Sequence, residues 1–169
     1  MSRPSSLEDV RSQLGAMLPQ LRRFARVITR RVQDADDLVQ VAIDKALTHA
    51  DQWRPESRLE SWTFGIMKNA WIDEIRARSR RARGFAPEKA GLGVGDRSAE
   101  DRDNALFVEA AMARVPEEQR LAVALVLIEG LSYKEAAATL AIPVGTLTSQ
   151  LAQGRETLES LLDDAWGAP

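Results

Sequence analysis

The side chains with chemistry to offer in this 169-residue chain are clustered cations and uncharged hydrogen-bonding groups, with no catalytic array of acids, bases or nucleophiles. Five arginines, Arg76, Arg78, Arg80, Arg81 and Arg83, fall within the eight residues RARSRRAR. Such a cluster suits a polyanion, whose phosphates it neutralises. The competing reading is a solvated helix end, where arginine also complements the helix dipole. A second constellation lies between Leu131 and Leu162. Ser132 and Glu135 form a capping-box pattern, with Gly130 before them suited to ending a preceding helix. Ala136, Ala137 and Leu140 offer a small-residue face, and Pro143 breaks the helix at an Ala141-Ile142-Pro143 corner. Leu147, Leu151, Leu158 and Leu161 then make one apolar stripe. Two helices about a short turn describe a helix-turn-helix, whose second helix enters the DNA major groove; an ordinary helical hairpin is the alternative. Thr146, Thr148, Ser149, Gln150 and Gln153 are left to face outward, with Arg155 the one cation among them.

Composition excludes much else. There are no cysteines, so disulfides and thiolate metal sites are ruled out. A single histidine, His49, leaves little for a metal site or a general base, and no glycine-rich phosphate loop is present. No enzyme, metal or cofactor is therefore expected. The acidic run Asp34 to Asp37 lacks the glycine and spaced oxygen ligands of a calcium loop and reads as a helix start. With no apolar run near 18 residues and no signal-peptide core, membrane insertion is not expected and a cytoplasmic location is. The net charge of −2 is unevenly shared. Residues 1–83 carry 16 Lys and Arg against 11 Asp and Glu, and residues 84–169 carry 7 against 14.

The elements that must position these groups are all helical. Leu14, Met17, Leu18, Leu21, Phe24, Ala25 and Ile28 follow one helical period. A second helix opens at Asp34 to Asp37 and buries Leu38, Ala42, Ala46 and Leu47. After the breaker-rich loop WRPESRLES, a third helix runs from about Leu59 to Arg78 and is apolar nearly all round, which places it centrally. Trp62 and Trp71 read as core, whereas Trp53, at the loop edge, suits core or base stacking. Periodicity stops from Ser79 to Asn104, where Gly84, Gly91, Gly93, Gly95 and Pro87 predict a flexible linker. It resumes with Leu106, Ala110 and Val115, and Pro116 starts a helix over Glu117 to Glu129. The expectation is an all-α chain of two small helical domains, 1–83 and a four-helix 105–169, joined by a linker over 84–104 and moving independently. Attraction between +5 and −7 is screened beyond about 8–10 Å near physiological ionic strength.

The segments LRRFARVITRR, DADDLVQVAIDKAL and WRPESRLESWTFGIMKNAWIDEIRARSRR resemble the first domain of bacterial extracytoplasmic-function sigma factors. VPEEQRLAVALVLIEGLSYKEAAATLAIPVGTLTSQLAQGR resembles their last domain. The resemblance implies a factor that binds core RNA polymerase, directs it to promoters and answers to an anti-sigma factor. By similarity, Asp37, Leu38 and Gln40 belong to the polymerase-docking helix. Trp53, Arg54, Glu56, Ser57 and Arg58 belong to the loop that captures a flipped −10 base. Asn69, Asp73 and Arg76 match an N-x-x-x-D-x-x-R spine, followed by Arg78, Arg80, Arg81 and Arg83 near phosphates. Residues 144–155 would read the −35 element. Two departures stand out. Val41 occupies a commonly acidic position after DLVQ, and Thr148, Gln150 and Gln153 occupy three commonly basic ones. A sigma-like mimic that titrates an anti-sigma factor and a stand-alone helix-turn-helix regulator are the rival readings.

Overall fold

The computed structural model describes residues 7–54, 56–83 and 110–166, and every element among them is helical. The predicted linker, 84–104, lies outside them. The predicted first helix is two helices, α1 (Leu7–Ala16) and α2 (Leu18–Thr29). The break falls at Met17, just before Pro19 in the first turn of α2, because proline excludes the preceding residue from comfortable helix geometry. The apolar stripe survives the break: Leu14, Met17, Leu21, Phe24, Ala25 and Ile28 are all buried. A left-handed Arg30 closes α2, and α3 (Val32–Thr48) follows. Its N-cap is Arg31, without a side-chain cap. Asp34 in the first turn therefore does not cap; its carboxylate goes to Arg78.

A single 3₁₀ turn (Ala50–Gln52) leads to the loop and then to α4 (Leu59–Ala82). This helix does not stop before the arginine run but carries it for another full turn. Its N-terminal two thirds are central, with Phe64 and Met67 fully enclosed and the Phe24 and Phe64 rings 4.8 Å apart between centroids. Helices α2, α3 and α4 pack side by side with α1 across α3.

A helical stretch at 110–114 opens the second domain. Pro116 N-caps α5 (Glu117–Val123), which widens into a π turn over Ala124–Ile128. There the Glu129 N–H donates to Ala124 O, five residues back, at 2.9 Å. Gly130, at φ 74°, ends the helix, and the Leu131 N–H closes on Leu125 O. That left-handed turn needs a residue without Cβ strain. Then come α6 (Tyr133–Leu140) and the long α7 (Val144–Trp166). Arg120 is the largest fully buried side chain, at 2 % exposure. It reaches back to the carbonyls of Met112, Ala113 and Val115 and so closes the end of the 110–114 helix. Burial lowers its pKa to about 10, which still leaves it charged.

The two helical domains are not separate. Buried residues of both form one continuous apolar cluster, with α2 against α5 and its π turn, and α4 against α6. Where α4 meets α6, Gly65 lets the backbones come close: a Cβ there would lie 3.8 Å from Thr139 O. The expectation of independently moving domains thus meets a packed arrangement. Apolar contact supplies what long-range attraction between opposite charges could not.

Candidate nucleic-acid interface

The loop before α4 is a tight turn. The backbone N–H and the hydroxyl of Ser57 both donate to Arg54 O, at 3.1 and 3.0 Å. This leaves Arg54, Glu56, Ser57 and Arg58 exposed. Trp53 beside them is half-buried against the core with its indole N–H enclosed and unpartnered, so the ring is chiefly a packing group. Trp71 is buried, and Trp62 packs partly on the core while lining a cleft.

Along α4 the sequence-predicted residues sort onto two faces. Asn69, Asp73, Arg76, Arg80 and Arg83 follow spacings of four, three, four and three, so they form one stripe. All five are exposed. Among the described residues, Arg76, Arg80 and Arg83 pair with no carboxylate. Arg78 and Arg81 fall on the other face with Glu74. Arg78 is fully engaged there. It donates to both Asp34 oxygens at 2.8 and 3.1 Å and to Glu74 at 2.9 Å, with its guanidinium 5.2 Å from the Trp71 ring centroid. Arg81 shares Glu74 at 3.1 Å. These bonds from Arg78 hold the Asp34 and Glu74 carboxyls below their ordinary range and raise the Arg78 pKa. The reading of the run as one phosphate-binding cluster is thereby corrected: Arg78 and Arg81 are tied to carboxylates, and Arg78 joins α4 to the start of α3.

On α3, Asp37 and Gln40 are exposed, but Leu38 is not. Its side chain is 5 % exposed and belongs to the core, so it is the helix's support rather than its outer surface. Val41 takes the outward place, 42 % exposed, beside a groove of about 500 Å³ shared with Trp71 and Asp73.

The helix-turn-helix forms as its sequence signals require. Ser132 accepts the Glu135 N–H at 3.1 Å and donates to its carboxylate at 3.1 Å. The corner turns on Ala141, left-handed at φ 55°. On α7, Leu147, Gly154 and Leu151 are buried and Leu158 is half-buried. Gly154 is required at the crossing with α5, since a Cβ would meet Val123 Cγ2 at 2.7 Å and Gln119 O at 3.2 Å. Thr146, Ser149, Gln153 and Arg155 are exposed and Thr148 and Gln150 half-buried. Thr148 spends its hydroxyl on Gly145 O at 2.9 Å, and Gln153 accepts from Gln119 at 3.3 Å. At about 100° per residue, Thr146, Ser149, Gln150 and Gln153 share one side of the helix, and Arg155 falls on the opposite flank with Thr148.

Two ion pairs that sequence reading missed join the domains. Arg23 forks onto Glu129 at 2.6 and 3.0 Å, and that carboxylate is 2 % exposed. Arg58 Nε donates to Glu135 at 2.7 Å, with Ser61 donating to the same oxygen at 3.2 Å. No local pattern signals partners 106 or 77 residues apart. Beside the second pair lies a cleft of about 670 Å³ lined by Trp62, Ile66 and Asn69 from α4 and Lys134 and Ala138 from α6.

Residues 14–81 match Sigma-70 region 2, and residues 108–158 match Sigma-70, region 4. The chain is 32% identical over 160 residues to the ECF RNA polymerase sigma factor EcfG of Rhodopseudomonas palustris, covering 92% of this chain and 86% of that one. It is 37% identical over 143 residues to the ECF RNA polymerase sigma factor SigM of Mycobacterium tuberculosis, covering 85% and 71%. Among solved structures, the sigma factor RpoE in complex with the anti-sigma factor NepR from Bartonella quintana superposes with a TM-score of 0.80. That match has 29% identity and covers 92% of this chain and 98% of that one. CnrH in complex with the cytosolic domain of CnrY shares the fold, with a TM-score of 0.69 at 22% identity over 95% and 91% of the two chains.

Proposed function

The chain belongs to the extracytoplasmic-function sigma factors of RNA polymerase, and on that premise we propose how its residues divide the work of directing promoter-specific initiation. The first domain, 1–83, docks on core polymerase through the outer face of α3, with Asp37, Gln40 and Val41 making contact over a supporting Leu38. It takes the −10 strand on the loop Arg54–Arg58 and along the α4 stripe. The second domain, 105–169, takes the −35 duplex on α7, with 84–104 as the connection. The protein acts in the cytoplasm, where polymerase and promoter meet, and performs no catalysis of its own.

The observation that carries this reading is the α4 stripe. Asn69, Asp73, Arg76, Arg80 and Arg83 run along one exposed face, with three arginines that no described carboxylate holds. A flipped base needs edge hydrogen bonds beside a stacking surface, and the loop with Asn69 and part of Trp62 offers both. The flanking phosphates need unpaired cations along the same line, which the stripe provides. On α7 the support is polar: Gln150 can pair two hydrogen bonds with an adenine, which discriminates by roughly 1–3 kcal/mol. Arg155 and the amides at the α7 N-terminus are suited to phosphate. An anti-sigma partner is supported by the 29% identical RpoE structure, solved with one and matched over nearly its full length.

Run-off transcription with core polymerase on a promoter library tests the division. Arg58→Ala should flatten preference within the −10 element, and Gln150→Ala should relax one −35 position while others keep theirs. A −35 profile that is flat before and after the Gln150 change would favour a sigma-like mimic that binds protein instead. A −10 profile unmoved by Arg58→Ala would remove that loop from base capture.

A further inference from the structure

The two ion pairs between the domains engage the DNA-facing surface itself. Arg58 stands in the loop assigned to the −10 strand, and its guanidinium is held at 2.7 Å by the Glu135 carboxylate. Ser61, one helical turn on, donates to the same oxygen. An arginine recognises a carboxylate and a phosphate through the same fork of donors, so Glu135 occupies the place a DNA phosphate would take. The helix that carries Glu135 is the first of the helix-turn-helix, and its Lys134, Ala138 and Thr139 wall off the cleft in which Trp62 and Asn69 lie. On the far side, Glu129 sits almost wholly buried under Arg23. The sites assigned to both promoter elements are therefore locked against each other in the chain by itself.

We propose that this packed arrangement is a self-masked form of the sigma factor. In it Glu135 acts as an internal competitor for the −10 loop, and the Arg23–Glu129 and Arg58–Glu135 pairs are its latches. Opening requires both pairs to part, which exposes Arg58, Asn69 and Trp62 together. Glu135 is suited to a switch because its two jobs separate: the backbone N–H keeps the Ser132 cap while the carboxylate leaves Arg58. The inference rests on the assignment of the Arg54–Arg58 loop to the −10 strand.

The test uses the full chain carrying Glu129→Gln and Glu135→Gln, which preserve shape and the helix cap while removing both charges. The absence of native cysteine allows dyes on Asp51→Cys and Glu159→Cys to report the distance between domains. A fluorescent single-stranded 20-mer, carrying the non-template −10 strand of a promoter that the wild-type holoenzyme transcribes, reports access to the loop. Loss of two partly exposed pairs should shift the closed-to-open ratio on the order of tenfold. It should lengthen the mean dye distance and tighten oligonucleotide binding several-fold over wild type. An unchanged distance distribution overturns the latch, and a longer distance with unchanged oligonucleotide affinity overturns the masking. The −10 assignment is judged separately in the holoenzyme, where the domains are already parted: Arg58→Ala with an intact −10 profile sinks that assignment alone.

Discussion

Arg78 and Arg80 are two residues apart in one basic run, yet their surroundings give them different work. Arg78 is spent on Asp34, Glu74 and the Trp71 face, whereas Arg80 meets no carboxylate among the described residues. Replacing Arg78 with Ala should lower stability by about 1 kcal/mol, a figure reduced for its partial exposure, and leave the salt slope of promoter binding nearly unchanged. Replacing Arg76, Arg80 and Arg83 together should do the reverse. The melting temperature would hold, and the slope of log K against log salt would fall by about 2–3, near 0.9 per lost phosphate contact. Equal slope changes in the two variants would overturn the two-face reading. The run was legible in the sequence as a polyanion site. Its division was not, because sorting it requires knowing that the helix continues through Ala82 and where Glu74 and Asp34 come to lie. The buried Arg120 was likewise invisible, since a charged residue in an amphipathic segment reads as solvent-facing until its carbonyl partners are in place.

Helices whose ends are written in local chemistry were legible nearly to the residue. Ser132, Glu135 and Gly130 form the caps their types imply, because capping depends on neighbours within four positions. The α1–α2 break was masked by an apolar stripe that runs straight across it, although Pro19 was a visible signal. At the helix-turn-helix corner, Ala141 adopts a left-handed conformation that a Cβ disfavours. Ala141→Gly should therefore raise stability by about 0.5–1 kcal/mol, read as a higher denaturation midpoint at constant m. A lower midpoint would show that the corner is relaxed by its surroundings. Gly154 is the opposite case. Its Cβ would fall 2.7 Å from Val123 Cγ2, so Gly154→Ala should cost about 1–3 kcal/mol by forcing α5 from α7. A melting temperature within a degree of wild type would refute the close approach.

At the scale of the whole molecule, the charge difference between the halves is what the sequence displayed, and its local use is what the structure adds. Both ion pairs between the domains set an arginine of the positive half against a glutamate of the negative half. Around Glu135, burial pushes its pKa up, but the Arg58 guanidinium, with the Ser132 and Ser61 hydroxyls, outweighs burial and holds it below the ordinary 4.5. Lys134 and Glu56 line the same cleft, and Glu60 shares Arg58 at 3.5 Å. A carboxylate held low contributes stability that is complete above its unfolded value and is lost as pH falls through the folded one. Asp34 follows the same rule from an ordinary 3.8. The domains should thus stay packed through neutral pH and part as the solution is acidified below 4.5. Small-angle scattering should show the radius of gyration rising there while far-ultraviolet circular dichroism still reports helix. A radius constant down to the loss of helix would show that apolar contact alone joins the domains.

The π turn at Ala124–Ile128 has a consequence for how this chain tolerates insertion and deletion. A turn with hydrogen bonds five residues back holds one residue more than an α-helix needs over the same bonds. The segment is thus a one-residue surplus stored inside a helix. Deleting one codon there would leave a continuous helix but rotate everything after it by about 100°. Glu129 would swing off Arg23, and α6 would no longer present Glu135 to Arg58. A frame-preserving deletion could therefore keep a well-formed helix-turn-helix while uncoupling the two domains.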